Sequence, residues 1–286
     1  MKSALPKLAV FDIDGTIAVK GKIPNSVLQG FKDIRAMGCK TTVSTGRGYV
    51  RLKHALGDNF DSIVSDGALI VIEHGTKIID KAGKVIFGAY FDEESINHVV
   101  DFVRSNLMMF DWAEVNIDDY SKKIPLSCFE EELVAELEEQ RGYYAEVMHT
   151  SVGAFKERLL AQPVTNVSLR LRPHVVVDNL KLRFTRTPTD VIFQDGIMSF
   201  IKNNTNKSIA LSYIANKLDI DIADTLVAGN AINDVEMLGT DAGWRVLVGK
   251  PETREVVLGY LHETDQVIEI ESVESLGGYL SSLVSS

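Results

Sequence analysis

The sequence predicts an α/β protein that has a mostly parallel sheet and a second, α+β domain inserted into the first. Short apolar runs alternate with amphipathic helical stretches at both ends of the chain, which is typical of parallel strands joined by helical crossovers. The alternation breaks at residues 69–88, where "HG" and "AG" separate short β-type runs and suggest hairpins. It returns near residue 193. We therefore predict a core at residues 1–86 and 191–286, with the inserted domain at residues 87–190.

The first core half begins with the apolar run "KLAV", which predicts a buried strand that ends before Gly15. Residues 23–38 predict a helix, because apolar side chains recur on one face and Gly38 follows its end. "CKTTVS" at 39–44 and "SIVS" at 62–65 are the second and third predicted strands.

The inserted domain is predicted to contain two helices, at 92–107 with Asp92 as its cap and at 129–140. "NVSLRLR" at 166–172 alternates apolar and polar residues and predicts a strand with one apolar face. In the second core half, a helix beginning at Lys207 is followed by three strands, each with a helix after it. These strands are "DTLVAG", "WRVLVG" and "QVIEI".

Composition limits the classes of function. The 286 residues carry a formal net charge of −10, which argues against general binding to nucleic acids or to anionic membranes. No apolar run approaches the roughly 20 residues that span a bilayer. The two cysteines are too few for a disulfide framework. We expect a cytoplasmic protein that is a monomer or a homodimer.

Polar residues follow several predicted strands directly, as "DIDGT" after the first, "STGR" after the second and "AGNAIND" after the strand near residue 227. Ligands of parallel α/β sheets bind beyond the carboxyl ends of the strands. Asp12 and Asp14 would need a nearby cation or a shared proton. Turn and helix-cap chemistry is the alternative for the aspartates, for Thr45 with Gly46, and for Asn233 with Asp234. Solvent-exposed side chains are the alternative for Arg47 and Lys207.

Together these motifs resemble the haloacid dehalogenase (HAD) superfamily of phosphohydrolases, and most of all its Cof-type branch. The pattern of that family is DxDGT, TGR, a lysine and GDxxND. It reads here as Asp12–Thr16, Thr45–Arg47, Lys207 and Gly229–Asp234. The resemblance covers residues 8–72 and 193–286, and the insert matches by position and length. It implies a Rossmann-like core with an inserted α+β cap.

The resemblance also implies a mechanism. Asp12 would attack phosphorus and form an aspartyl-phosphate, and Asp14 would act as general acid and base. Mg²⁺ would be the cofactor. The implied metal ligands are Asp12, Asp14 through its main-chain carbonyl, Asn230 and Asp234, with Asn233 in support. The implied phosphate-binding residues are Thr45, Gly46, Arg47 and Lys207, with Ser44 as an alternative hydroxyl.

Asn230 departs from the family pattern, because relatives mostly have aspartate there. An amide oxygen can bind Mg²⁺ but brings no charge. The expected function is hydrolysis of a small phosphorylated metabolite, such as a sugar phosphate. A phosphomutase and a non-catalytic regulator that binds a phosphometabolite are the alternatives. Arg170 and Arg172 are candidate substrate contacts of the cap, and Arg183 and Arg186 are further ones.

Overall fold

The computed structural model describes residues 5–116, 118, 120, 122–142, 144–177, 180, 184, 187–262 and 266–285. Its strands are β1 (Leu8–Phe11), β2 (Lys40–Val43), β3 (Leu69–Ile72), β4 (Lys77–Asp80), β5 (Val85–Gly88), β6 (Phe110–Val115), β7 (Ile124–Cys128), β8 (Ala145–His149), β9 (Asn166–Leu171), β10 (Thr189–Gln194), β11 (Ile197–Lys202), β12 (Thr225–Gly229), β13 (Trp244–Val248) and β14 (Ile268–Ile270). Its helices are α1 (Asn25–Ala36), α2 (Tyr49–Leu56), α3 (Phe60–Ile63), α4 (Glu93–Ser105), α5 (Val134–Arg141), α6 (Val152–Leu160), α7 (Lys207–Lys217), α8 (Val235–Leu238), α9 (Pro251–Leu258) and α10 (Val273–Val284).

The chain divides into two compact units. The core unit contains the described residues up to 47, residues 52–87 and the described residues from 206 onward. The cap unit contains residues 48–51 and the described residues between 88 and 205. The chain thus enters the cap unit twice, first for the short segment that begins helix α2.

The core unit contains a parallel sheet in the order β14-β13-β12-β1-β2. Strand β1 lies between β12 and β2, and all four of its residues are buried. Because these strands are parallel, their carboxyl ends meet at one edge, where ligands of such sheets bind. The predicted α/β class with a mostly parallel core sheet is confirmed.

The third predicted strand, at 62–65, is wrong. The chain forms helix α3 there, which ends at Ile63, and the strand β3 begins only at Leu69. Ile63 and Val64 are fully buried all the same, and a short apolar run does not distinguish a buried strand from a helix. Strand β3 pairs antiparallel with β4, as expected from the hairpin signals. It also meets the end of β2, where the Thr45 N–H donates to the Val71 carbonyl at 3.0 Å.

The cap unit contains a six-stranded sheet in the order β10-β11-β9-β6-β7-β8. Helices α4 and α6 pack on one face over a shared apolar cluster that includes Val99, Phe155 and Val167. Part of the other face, at β7 and β8, packs against Leu137 of α5. The predicted helix cap Asp92 accepts a hydrogen bond from the Ser95 N–H at 2.9 Å.

The cap unit continues to residue 205, beyond the boundary at 190/191 predicted from the sequence. Strand β10 pairs with β11, and β11 pairs with β9, all antiparallel. Met198 and Phe200 of β11 are buried in the apolar cluster of this unit. The hairpin at 189–202 therefore completes the cap sheet, and the core resumes at helix α7. No helix among the described residues has the length and hydropathy to cross a bilayer.

Candidate active site

Asp12 is the first residue after β1, the strand between β12 and β2 in the core sheet. Its N–H donates to the Ala228 carbonyl at 2.9 Å, which continues the pairing of β1 with β12. The side chain is only 4% exposed. Because Asp12 directly follows a buried strand, its carboxylate lies at the edge of the sheet.

Lys207 joins two carboxylates that are far apart in the chain. Its Nζ donates to Asp12 Oδ1 at 2.7 Å and to Asp234 Oδ1 at 2.6 Å. Lys207 is 1% exposed and Asp234 is fully buried. Asn206 caps helix α7, accepting the Ile209 N–H at 2.8 Å, and so places Lys207 in the first turn. We call Lys207, Asp12 and Asp234 the Lys207 cluster.

The Lys207 cluster has two carboxylates for one ammonium group. Burial raises the pKa of Asp12 to about 7, and the charges of Asp234 and Asp14 act in the same direction, while Lys207 opposes them. Burial alone would lower the pKa of Lys207, but Asp12 and Asp234 together hold it above its ordinary value. The cluster therefore keeps a charged lysine beside an excess of negative charge, which favours a further cation.

Asp14 pairs with a different cation. Arg47 Nε donates to Asp14 Oδ2 and Arg47 Nη2 donates to Asp14 Oδ1, both at 2.8 Å. This is the two-pronged geometry that guanidinium and carboxylate groups favour. The side chains of Arg47 and Asp14 are 27% and 41% exposed. The structure thus brings Arg47 to the site and leaves the Asp14 carboxylate accessible to solvent.

The loop after β2 carries the candidate phosphate-binding hydroxyl. Thr45 is buried, and its Oγ1 accepts the N–H of Arg47 at 3.2 Å, which tightens the turn at Gly46. Ser44 follows β2 directly, is fully buried, and its Oγ has no hydrogen-bond partner among the described residues. Both hydroxyls predicted from the sequence as alternatives therefore lie at the end of this strand.

Asn230 and Asp234 occupy the turn after β12. Asp234 Oδ2 accepts the N–H groups of Asn230 and Ala231 at 2.9 and 3.1 Å. Both carboxylate oxygens of Asp234 are thus occupied, one by its own turn and one by Lys207. Asn233 is half-buried in the same turn.

Asn230 also contacts the turn that follows β1. Thr16 Oγ1 donates to Asn230 Oδ1 at 3.2 Å. Gly15 has φ +84°, and a Cβ there would lie 2.2 Å from Asn230 Nδ2. Glycine is therefore required both for the left-handed backbone and for the close approach of Asn230. Thr16 was not among the predicted site residues, and its only sequence signal is its place within "DIDGT".

The donor set at this edge fits Mg²⁺, which binds oxygen ligands. No group of three or more His, Cys, Asp or Glu side chains suited to a metal occurs in the described part of the chain. The available donors are the Asp12 carboxylate, the main-chain carbonyl of Asp14 and the amide oxygen of Asn230. If residue 230 were aspartate, this set of donors would contain two carboxylates instead of one. Asp234, with both oxygens occupied, has the least to offer a metal.

The hairpin turn between β3 and β4 was predicted, but its contacts with the loop after β2 were not. The Glu73 N–H donates to the Arg47 carbonyl and the His74 N–H to the Thr45 carbonyl, both at 3.1 Å. Glu73 and His74 have φ of +53° and +60°, a region that non-glycine residues seldom adopt. A Cβ at Gly46 would lie 2.3 Å from the His74 ring. The turn therefore fixes the backbone of the Thr45–Arg47 loop, and its sequence signal was only "HG".

The two cap arginines proposed as substrate contacts bind other groups of the cap unit. Arg170 Nη1 donates to the Asp195 carbonyl at 2.7 Å. Arg172 pairs with Asp111 at 3.1 Å and also with Glu130. Their role in substrate binding stays a prediction. Arg183 and Arg186 lie outside the described residues.

The chain matches known proteins in sequence and in fold. Residues 9–253 match the family of haloacid dehalogenase-like hydrolases. An HMP-PP phosphatase of Yersinia pseudotuberculosis serotype I (strain IP32953) is 23% identical over 240 residues, which cover 81% of this chain and 80% of the relative. An HMP-PP phosphatase of Yersinia pestis (strain Pestoides F) is 24% identical over the same length and shares.

Solved structures share the fold. BT1666 from Bacteroides thetaiotaomicron, a phosphatase of the HAD superfamily, has a TM-score of 0.72 at 16% identity, covering 98% of this chain and 96% of its own. The HAD subclass IIB sugar phosphatase BT4131 has a TM-score of 0.73 at 16% identity, covering 96% and 98%. A HAD/COF-like hydrolase from Plasmodium vivax has a TM-score of 0.76 at 18% identity, covering 98% and 95%.

The family match extends over most of the chain and includes every motif residue at the edge of the core sheet. The chain therefore belongs to the haloacid dehalogenase-like hydrolases.

Proposed function

We propose that this protein is a Mg²⁺-dependent phosphatase that removes a phosphoryl group from a small metabolite through an aspartyl-phosphate on Asp12. The observation that carries the proposal is the Lys207 cluster, in which Nζ lies 2.7 Å from Asp12 Oδ1. A buried lysine held in its charged form beside a carboxylate suits an anionic substrate, because it offsets the repulsion between nucleophile and phosphate.

The other residues take roles that follow from their positions. Asp12 Oδ2 attacks phosphorus while Oδ1 stays on Lys207. Asp14 protonates the leaving oxygen and then accepts a proton from the water that hydrolyses the acyl-phosphate. Such acid–base help is typically worth roughly 10²–10⁴ in rate. Thr45 Oγ1 and the backbone at Gly46 hold phosphoryl oxygens, and Arg47 orients Asp14 through its two-pronged contact.

Asp12, the Asp14 carbonyl and Asn230 would hold Mg²⁺, with Asn233 and Asp234 supporting the turn that carries Asn230. When bound, Mg²⁺ supplies positive charge that draws the phosphate to Asp12 and stabilises the transition state. Asn230 supplies an oxygen without a charge, so the affinity for the metal is expected to be lower than with aspartate at this position.

The substrate is proposed to be a small phosphorylated metabolite. Two kinds of candidate come from the relatives, which are named for HMP-PP and for sugar phosphates. The net charge of −10 supports a small-molecule substrate over nucleic acid. A cytoplasmic protein, as a monomer or a homodimer, remains part of the proposal.

Release of inorganic phosphate tests the proposal. The wild type and Asp12→Asn are assayed with p-nitrophenyl phosphate, HMP-PP and a set of sugar phosphates, with Mg²⁺ and with excess chelator. We expect turnover only with the wild type and only with Mg²⁺. Isomerisation of a sugar phosphate without phosphate release would indicate a phosphomutase instead. Binding of the esters without either reaction would indicate a regulator and would contradict the proposal.

A further inference from the structure

The Glu73–Gly75 turn between β3 and β4 contacts the loop that carries the candidate phosphate-binding groups. Two backbone hydrogen bonds of 3.1 Å join this turn to the Thr45–Arg47 loop. The ring of His74 is so close to Gly46 that a Cβ at Gly46 would lie 2.3 Å from it. On this side, the turn therefore limits where the backbone of the loop can lie.

The same turn contacts the start of helix α7, which carries Lys207. Gly75 has φ +96°, and a Cβ there would lie 2.2 Å from the Asn206 carbonyl oxygen and 2.8 Å from the Lys207 nitrogen of the main chain. The Asn206 carbonyl accepts a helical hydrogen bond from the Ala210 N–H at 3.1 Å. A side chain at position 75 would therefore displace the peptide that begins the helix.

The turn is buried, although turns usually lie at the surface and favour glycine, asparagine or aspartate at positive φ. Glu73 and His74 both have positive φ and are 0% and 6% exposed. Glu73 Oε1 accepts a hydrogen bond from Lys77 Nζ at 3.1 Å, and both side chains are fully buried. Thr76 Oγ1 donates to the Glu73 carbonyl at 2.8 Å. A strained backbone persists only where its surroundings hold it, and such strain is typical of functional sites.

The groups on the two sides of the turn come from elements that are far apart in the chain. Thr45 and Gly46 follow β2, whereas Lys207 lies in the first turn of α7. We propose that the Glu73–Gly75 turn sets the distance between this loop and Lys207, so that both reach the same phosphoryl group. Its three residues are positioning residues, which act through the backbone segments that they contact. This inference rests on the proposed phosphatase function.

Gly75→Ala tests the contact with helix α7, and Gly38→Ala is its matched control. Gly38 lies in the same core unit and has φ +89°, but a Cβ there would meet nothing within 4 Å. Both variants place alanine in a left-handed conformation, and only Gly75→Ala also pushes on the Asn206 peptide. Thermal unfolding gives the temperature range in which each variant is folded. In that range, kcat and KM for p-nitrophenyl phosphate with Mg²⁺ and the calorimetric affinity for inorganic phosphate are measured.

His74→Asn tests the contact with the loop. Asparagine adopts a left-handed backbone more readily than most residues, so the turn should keep its conformation while the ring beside Gly46 is removed. His54→Asn is the control, because His54 is an exposed histidine of the same core unit.

We expect Gly75→Ala to lower kcat by about 100-fold, which is the effect of a misplacement of about 1 Å. Its affinity for inorganic phosphate should fall by about 10-fold, because Lys207 moves away from the loop. His74→Asn should lower kcat and the phosphate affinity by about 10-fold each. Both controls should stay within about 2-fold of the wild type. A turn that served stability alone would change the unfolding temperature and leave kcat and the phosphate affinity of the folded protein unchanged.

Wild-type kcat and phosphate affinity in folded Gly75→Ala would overturn the inference, as would equal losses in Gly75→Ala and Gly38→Ala. If Gly75→Ala does not fold, His74→Asn decides, and wild-type values in that variant would overturn the inference. A wild type that binds phosphate but hydrolyses no ester with Mg²⁺ would overturn the phosphatase proposal. The phosphate affinities of the same variants would then support or overturn the positioning role by themselves. A wild type that neither hydrolyses esters nor binds phosphate would overturn both.

Discussion

The Lys207 cluster and the Asp14–Arg47 pair belong to the same core unit but differ in their surroundings. Lys207, Asp12 and Asp234 are nearly or completely buried, and two carboxylates share one cation. Asp14 and Arg47 form a balanced pair that is partly open to solvent. Both groups contain residues that were predicted from short sequence motifs.

The difference in burial indicates different roles. Removing one partner of a buried ion pair leaves an uncompensated charge, which is strongly destabilising. A different arrangement of the buried Lys207 cluster would therefore be costly, which suits the nucleophilic role proposed for Asp12. Exposed ion pairs contribute little to stability. Asp14 can therefore exchange its partner at small cost, which suits the acid–base role proposed for it.

The largest expected effect comes from Asp12→Asn. Turnover should fall by about 10⁴-fold or more, because the nucleophile is lost. The fold should remain intact, since Lys207 keeps Asp234 as its partner. The midpoint of thermal unfolding should stay within about 3 °C of the wild type, a shift equivalent to about 1 kcal/mol. Unchanged phosphate release would remove Asp12 from its assigned role.

Lys207→Met tests how much the buried cluster contributes to stability. Asp12 and Asp234 would lose their shared cation, and the free energy of unfolding should fall by about 3–5 kcal/mol. Urea denaturation without added metal measures this loss. The double variant Lys207→Met/Asp234→Asn is the control and should recover part of the stability, because one buried charge is removed. A single variant as stable as the wild type would contradict the comparison.

Arg47→Lys tests the exposed pair. The free energy of unfolding should change by less than about 1 kcal/mol, while kcat should fall by about 10-fold because lysine cannot reproduce the two-pronged contact. Arg35→Lys is the matched control, since Arg35 also makes two contacts in the core unit, with the carbonyls of Asp61 and Ser62. If both variants lower kcat equally, Arg47 has no special part in the reaction.

Asn230→Asp sharpens the comparison by adding a charge beside the buried cluster. Mg²⁺ should bind about 10-fold more tightly, an effect of about 1.4 kcal/mol. Calorimetric titration with Mg²⁺ measures the affinity independently of turnover. Asn233→Asp, which adds the same charge in the same turn, is the control. Identical titrations for the wild type and Asn230→Asp would place residue 230 outside the metal shell.

Much of the core could be predicted because its signals are local. A buried strand that ends at Asp12, and a helix with Lys207 in its first turn, can be recognised from apolar patterns and cap residues. The cap boundary near residue 190 could not be placed, because alternation in the 189–202 hairpin predicts strands but does not indicate which sheet they join. The error at 62–65 has a similar origin, since tertiary packing decides between a strand and a helix for a short apolar run.

By itself, the sequence determined the α/β class, the inserted domain and the acidic, hydroxyl and basic residues at the strand ends. The tertiary structure decided which of these groups pair. Lys207 pairs with both Asp12 and Asp234, and Arg47 pairs with Asp14. The Glu73–Gly75 turn is hydrogen-bonded to the Thr45–Arg47 loop. The physical reason is that the hydrophobic periodicity of strands and helices depends on residues that are close in sequence. The partners of buried charged groups are far apart in the chain, and they depend on which groups the fold buries within hydrogen-bond distance at the sheet edge.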